Sequence, residues 1–408
     1  MEPLATIKRI RGFLALERNI LALAISSAVG SFGTALWMNI FSLYVYEELH
    51  ATELEVGLVY TIGGIASILL MIPVGYLADR IGKKKVVVTG CYVMAFAQLL
   101  FAFTNSWIEV LPVLFLFNAA FCYRPVMSAL IADSLTRKQR ATGFAAFETL
   151  PGITTIFASG LGGFLAEPEV WGFQPLFMLA AALSLIMAVI RHAFLREPES
   201  QSDTGSTFES PIKSLTYIRR SPWSLKALFI MNLYGSFFGA MAYPQFYTLY
   251  ARELLRLSRT QIGLLFSITG AFRSLLLVPG GKLADHYGRK RFIVLSTLAY
   301  PPLVIAFLFA PSATAVYAIS AVESIVEGLS QPSWQAIEAD LMPRGKRGTL
   351  MGLFSAARSV ASLPSPMIGG YLWQNYGPRS PFYVVASIAA IDLVLLLSIK
   401  ETLISEDE

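Results

Sequence analysis

Charge is what this 408-residue sequence has least of: only 14% of its residues are Asp, Glu, Lys or Arg, where soluble domains carry about 25%. A water-soluble globular fold is excluded on that count. Cysteine is nearly absent as well, with Cys91 and Cys122 both inside apolar runs, so neither a disulfide framework nor a zinc framework can be built. Three histidines exclude a histidine-rich metal site, and the chain has no Walker A lysine loop, no HExxH and no GxSxG elbow. ATP hydrolysis and the common hydrolytic chemistries fall away with them. No enzyme, metal or cofactor is expected. The formal net charge of +5 is no sign of nucleic acid, because the basic residues sit in short loops between apolar segments, where they encode orientation in a bilayer.

What remains is hydrophobic: 55% of the residues, with a mean hydropathy of +0.58. One membrane span needs roughly 20 apolar residues. The runs and their breakers predict an all-α polytopic membrane protein with twelve helices, over 19–46, 55–78, 84–104, 107–132, 139–166, 172–194, 222–250, 258–284, 290–310, 313–339, 347–373 and 380–400. The first run follows a basic stretch at Lys8, Arg9, Arg11 and Arg18. It is far longer than the core of a secretory signal, and we expect it to be a true span.

An even number of spans puts both termini on one side. With the N-terminus cytoplasmic, that side takes Arg80 and Lys83–Lys85, then Arg137, Lys138 and Arg140, the stretch from Arg191 to Arg220, Arg289–Arg291, and Arg344 to Arg347. The other side takes Arg252, Arg256, Arg259 and Arg379. The asymmetry predicts cytoplasmic termini, and the absence of Asn-x-Ser/Thr fits a prokaryotic cell membrane. A polar stretch beginning at Arg196 divides the spans six and six. We therefore expect an N-terminal bundle at 1–195, a cytoplasmic linker at 196–220 and a C-terminal bundle at 221–408.

The halves repeat. At an offset of about 206 residues, Gly75-Tyr-Leu-Ala-Asp-Arg-Ile-Gly-Lys-Lys-Lys85 matches Gly281-Lys-Leu-Ala-Asp-His-Tyr-Gly-Arg-Lys-Arg291. In the same order, Val56-Gly57 matches Ile262-Gly263, Pro73 matches Pro279, and Asp133 with Arg140 matches Asp340 with Arg347. Gly162-Gly163 then matches Gly369-Gly370. Six spans per copy give both copies the same orientation, as parallel repeats about an axis along the membrane normal.

In these residues the chain resembles the major facilitator superfamily of secondary transporters, over about residues 19–400. The loop between helices 2 and 3 of that family carries the pattern held here by Gly75–Lys85, with an echo at Gly281–Arg291 that departs at Lys282 and His286. The resemblance implies two pseudo-symmetric six-helix bundles and transport by alternating access, by a monomer in the bilayer. It implies a cytoplasmic latch made by Gly75, Asp79, Arg80, Gly82, Asp133 and Arg140, with Asp285, Arg289, Asp340 and Arg347 as the second copy. It also implies a central cavity lined by helices 1, 4, 7 and 10.

Ionisable residues at bilayer depth are functional candidates by default. Counting ~1.5 Å per residue from the cytoplasmic landmarks, Arg124, Glu148, Arg358, Arg273 and Glu327 lie about 12–20 Å into a core of ~30 Å. Glu323 is one turn from Glu327 on the same face, and Asp392, on a peripheral helix, is expected to serve packing. A carboxylate in a low-dielectric cavity is easily protonated, and a nearby arginine opposes this. We expect Glu148 with Arg124, or Glu327 with Arg273 or Arg358, to carry a coupling proton; a static ion pair is the alternative for each. For the substrate, Asn39 aligns with Gln245, flanked by Trp37 in one copy and by Tyr243 and Tyr247 in the other, and helix 10 adds Glu323, Gln331, Trp334 and Gln335. Amides beside aromatic faces suit an amphipathic ligand.

The glycine pattern of proton-driven drug exporters is degraded here: Ala158-Ser159-Gly160-Leu161-Gly162-Gly163 lacks its Gly-Pro. Efflux of amphipathic small molecules by proton antiport remains the leading expectation. The alternatives are a symporter or exchanger for a polar or anionic metabolite or sugar, favoured by the three arginines, and a non-transporting membrane receptor.

Overall fold

A computed structural model describes residues 18–133, 140–197, 217–343, 347–399 and 401. Every element among the described residues is helical. In chain order these are α1 (Arg18–Met38), the single turn α2 (Phe41–Leu43) with a π-helical turn at Tyr44–Glu48, α3 (Glu53–Ile81), α4 (Lys83–Phe101), α5 (Trp107–Phe121), α6 (Tyr123–Asp133), α7 (Arg140–Leu165) and α8 (Phe173–Phe194). They continue as α9 (Trp223–Ala242), α10 (Gln245–Glu253), α11 (Arg259–Tyr287), α12 (Arg289–Leu308), α13 (Ala313–Leu341), α14 (Arg347–Ser362), α15 (Ser365–Tyr376) and α16 (Ser380–Ser398).

Among the described residues, nine helices are long and apolar enough to cross a membrane. The predicted spans outside that set are α7, α13, and α14 with α15. The 29-residue α13 is long enough but carries four acids, Glu323, Glu327, Glu338 and Asp340. The last predicted span of these is broken into 16 and 12 residues.

Four of the predicted spans are interrupted. Proline accompanies three of the breaks, where its missing N–H removes a helical hydrogen bond, although Pro73, Pro279 and Pro332 are carried inside unbroken helices. Pro244 separates α9 from α10, Pro364 separates α14 from α15, and Pro125 leaves the Phe121 carbonyl without its donor where α5 gives way to α6. The first span breaks at Asn39–Ile40 without a proline, two residues beyond the position that aligns with the α9–α10 break. Reading the sequence by hydropathy alone does not show these interruptions, because the residues on either side stay apolar.

The chain divides into two compact units, one of Met1–Asn39 with Ile62–Thr204 and the other of Ile40–Thr61 with Gly205–Glu408. In the first unit α1 packs on α7 and α8, and α4 packs on α5 and α8. Its core is aromatic: Trp37 meets Phe101, Phe117 and Phe177 with ring centroids 5.3, 5.1 and 5.6 Å away. Arg191 is fully buried and is held entirely by neutral groups. It donates to Ser26 (3.1 Å), Ser27 (2.6 Å) and the Cys91 thiol (3.0 Å), and lies over the Tyr123 ring at 5.4 Å.

In the second unit α11 packs on α13, α12 on α13 and α16, and α9 on α14 and α16. Ile40–Thr61 joins it through charge and close approach. Arg259, 3% exposed, reaches Glu47 at 2.6 Å and Glu48 at 2.8 Å, and Arg252 reaches Glu47 at 2.5 Å. The Trp373 indole donates to Glu53 at 3.1 Å, and a Cβ on Gly57 would strike the Pro366 carbonyl.

The repeat is visible in two glycine pairs. Gly82 and Gly288, at matched positions, have φ of +101° and +97° and start α4 and α12; only glycine takes this conformation without strain. Beside each, a carboxylate accepts from free N–H groups of the new helix. Glu197 takes Lys83 and Lys84 (2.7 and 2.8 Å), and Glu401 takes Lys290 (2.9 Å), the favoured charge for a helix N-terminus. Gly162 and Gly369 are places of close approach, where a Cβ would collide with the carbonyls of Leu36 and Met241 respectively. Gly75, expected as part of the latch, has nothing within 4 Å of a built Cβ.

Gly162→Leu and Gly369→Leu are therefore each expected to destabilise the protein by about 3 kcal/mol or more through overpacking, while Gly75→Ala stays within about 1 kcal/mol. Thermal unfolding in detergent checks this, and equal losses at all three sites would refute it. Arg259→Gln, which takes from Glu47 the more deeply buried of its two cations, is expected to cost about 3 kcal/mol. The exposed Arg256→Gln serves as the near-neutral comparison in the same melts.

Candidate functional site

The spacing of residues on α13 builds one wall of a cavity in the second unit. Glu323, Glu327 and Gln331 recur at i, i+4 and i+8 and so share a face, with Trp334 one turn further on. That face opens on a cavity of about 800 Å³. Arg273 of α11 enters from a second wall. Its Nη1 is 3.3 Å from a Glu327 oxygen and its Nε donates to the Gln331 carbonyl oxygen at 3.1 Å. Both partners of this ion pair are about half exposed to the cavity (44% and 50%). Glu323, one turn away, has no hydrogen-bond or ion-pair partner among the described residues.

Aromatic groups form much of the remaining surface. Tyr243 sits at the α9–α10 break with its ring half exposed, and Tyr300 comes from α12. Tyr247 of α10 is held rigidly, stacked on Phe307 at 4.0 Å and hydrogen-bonded to Ser320 at 2.7 Å. The cavity continues to α16, where Asp392 lines it and accepts a hydrogen bond from Tyr234 of α9. Three carboxylates, Glu323, Glu327 and Asp392, thus share the cavity with one guanidinium.

The expected residues separate into those the fold brings together and those it keeps apart. Glu323, Glu327, Arg273, Tyr243, Tyr247, Gln331 and Trp334 line the cavity together. Arg358 does not reach Glu327; it is bonded to Asn232 (2.7 Å) and faces Glu338 at 3.4 Å, because α14 packs on α9. Arg124 and Glu148 form no ion pair. Arg124 lies over the Phe121 ring at 5.1 Å, turned there by the break at Cys122, and borders a separate cavity of about 410 Å³ in the first unit. Glu148 is exposed.

Four of the expected substrate contacts are outside the lining of this cavity, three of them engaged elsewhere. Trp37 is 1% exposed inside the aromatic core. Gln245 is 2% exposed and donates to the Ala240 carbonyl at 2.6 Å, serving the backbone where Pro244 breaks the helix. Asn39 donates to Ser159 at 3.0 Å, and Gln335 is exposed and outside the cavity lining. Asp392, expected to serve packing, is a cavity residue. Its depth is legible in the sequence, but nothing there indicates which face of α16 is turned inward. Tyr234 and Tyr300 were not singled out, and no sequence signal separates them from the other tyrosines.

At the second copy of the repeated motif, Arg289 donates to Asp285 at 2.9 Å and is paired with Asp340 across to α13. In the first copy Arg80 lies over the Tyr76 ring at 4.6 Å, and Asp79 is exposed. The side chains of Asp133, Arg140 and Arg347 lie outside the described residues.

Known proteins match this chain along nearly its whole length. An uncharacterized MFS-type transporter of Methanocaldococcus jannaschii is 24% identical over 386 residues, covering 94% of this chain and 95% of that protein. The quinolone resistance protein NorA of Staphylococcus aureus is 22% identical over 371 residues, covering 90% and 93%. Among solved structures, the nucleoside transporter NupG superposes with a TM-score of 0.74 at 17% identity, over 93% of this chain and 98% of that one. A bacterial homolog of the human lysosomal transporter Spinster, in an inward-facing and unoccupied conformation, gives 0.69 at 16% identity, over 93% and 94%. The family model of the Major Facilitator Superfamily matches residues 23–258 and again 236–407. The chain is thus a multi-pass membrane protein and belongs to the Major Facilitator Superfamily of membrane transporters.

Proposed function

We propose that this transporter exports amphipathic, preferentially cationic small molecules in exchange for protons, by alternating access of two parallel six-span bundles at 1–195 and 221–408. The single observation that carries the reading is the cavity in the second unit, where Glu327 is matched by Arg273 while Glu323 has no cation of its own among the described residues. An organic cation supplies that charge. The aromatic faces of Tyr243, Tyr300 and Trp334 add apolar area and cation–π attraction.

Coupling follows from the same arrangement. A proton on Glu327 releases Arg273, and re-formation of the pair expels the proton, so an ion pair half open to the cavity can serve as a reversible proton carrier. The resemblance to NorA is consistent with export. An anionic metabolite is the weaker reading, because the one guanidinium in the cavity is already engaged by Glu327 and Gln331. In the proposed arrangement both termini face the cytoplasm of the cell membrane and the protein works as a monomer. Gly75, Asp79, Arg80, Gly82 and Asp133 belong to one latch, and Asp285, Arg289 and Asp340 to its counterpart.

Cells expressing the wild type are expected to accumulate less of a fluorescent lipophilic cation than vector controls, with the difference abolished by a protonophore. Glu327→Gln is expected to remove the gradient dependence, and Glu148→Gln to retain it. Equal accumulation in all strains would reject export, and protonophore-sensitive export by Glu327→Gln would reject its coupling role. Glu323→Gln is expected to weaken binding of the cation about tenfold or more, as for loss of a charge-assisted contact, measured on the purified transporter.

A further inference from the structure

The charge balance of the cavity is not closed by Glu323. Asp392 also lines it, from α16, and its hydrogen-bond donor is the neutral phenol of Tyr234. That contact satisfies one oxygen and brings no positive charge. The cation at the start of α12, Lys290, is committed to the Leu397 and Ile399 carbonyls at 3.0 and 2.6 Å. Arg273 is committed to Glu327 and Gln331. Two carboxylates thus face one cavity with no protein cation paired to them among the described residues.

Their placement makes them two separate points on one wall. Glu323 stands on α13 and Asp392 on α16, and α12 packs against both. Tyr300 and Thr297 of α12 line the cavity with them. Both side chains line the same cavity, so a ligand that fills it meets both carboxylates. The volume, about 800 Å³, is ample for a drug-sized ligand.

We propose that Asp392 forms a second cation subsite in this cavity, which selects dicationic amphipathic substrates by holding one ammonium at Asp392 while Glu323 holds the other. The inference rests on the cationic reading of the cavity given above. Tyr234 acts as a positioning residue that fixes the carboxylate. A monocation with the same alkyl chain uses Glu323 and the aromatic walls and leaves Asp392 unused.

The test is binding to the purified full-length transporter in nanodiscs, by calorimetry, with decamethonium as the dication and decyltrimethylammonium as the monocation. The wild type is expected to bind decamethonium more tightly. Asp392→Asn is expected to weaken decamethonium about tenfold, the effect of one charge-assisted contact, and to leave decyltrimethylammonium within about twofold. Glu323→Gln weakens both. Equal loss for both ligands in Asp392→Asn, or no loss for either, overturns the subsite while leaving the cationic reading intact. Binding of neither ligand by the wild type overturns both. If Asp392→Asn does not fold, Tyr234→Phe decides: it keeps the carboxylate and is expected to lose less than about threefold of the dication preference. Complete loss of preference there would overturn the subsite, since the carboxylate it rests on is still present.

Discussion

A charge at bilayer depth has to find its counter-charge within the protein or its ligand, and the second unit is arranged around that constraint. The i, i+4 spacing on α13 puts Glu323, Glu327 and Gln331 on one face, and Arg273 answers two of the three. Because both members of the ion pair are about half exposed to the cavity, its attraction is screened and its net worth is well below that of a buried pair. A tight, fully buried pair would be too costly to break in each transport cycle. An open one can exchange its partner for a proton, which fits a carrier better than a strut.

The backbone obeys the same rule as the charges. With no water to bond to, every N–H and C=O at bilayer depth needs a partner inside the protein, and the interrupted spans meet this locally. At the α9–α10 break, the Tyr243 N–H still reaches the Gly239 carbonyl at 3.0 Å, Thr248 reaches Pro244 at 3.1 Å, and the buried Gln245 amide takes the Ala240 carbonyl. The break therefore serves the cavity twice. It releases Tyr243 from the helical path so that its ring faces the ligand space, and it uses Gln245 to repair the backbone it interrupts.

Much of this was legible in the residues. The duplication showed itself in glycines because glycine records backbone geometry directly: Gly82 and Gly288 need a positive φ, and Gly162 and Gly369 need a missing Cβ. The depth of Glu323, Glu327 and Arg273 followed from counting helical rise, and the pairing of Arg273 with Glu327 was one of two options left open. What was not legible is rotation about a helix axis. Trp37 beside Asn39 reads the same whether it faces a ligand or a core, and the core needed its large ring against Phe101, Phe117 and Phe177. Hydropathy gives a depth, and depth does not reveal the face, which is why Asp392 passed for a packing residue and Arg124 for a partner of Glu148.

The two units hold their buried charge in opposite ways, although they descend from one repeat. In the first, Arg191 is enclosed by two serines, a thiol and a tyrosine ring. Such a shell satisfies the guanidinium with neutral partners and sets no carboxylate against it. Arg191 ties α8 to α1, α4 and α6 and does nothing that a gradient could drive. In the second unit the cation faces carboxylates, whose protonation changes the local charge by a full unit, and the cavity gives water and ligand access to them. Duplication supplied both copies with the same close helix approaches and the same turn glycines. Where the carboxylates sit is what sets the copies apart: in the second unit those of α13 and α16 line one cavity with the guanidinium of α11.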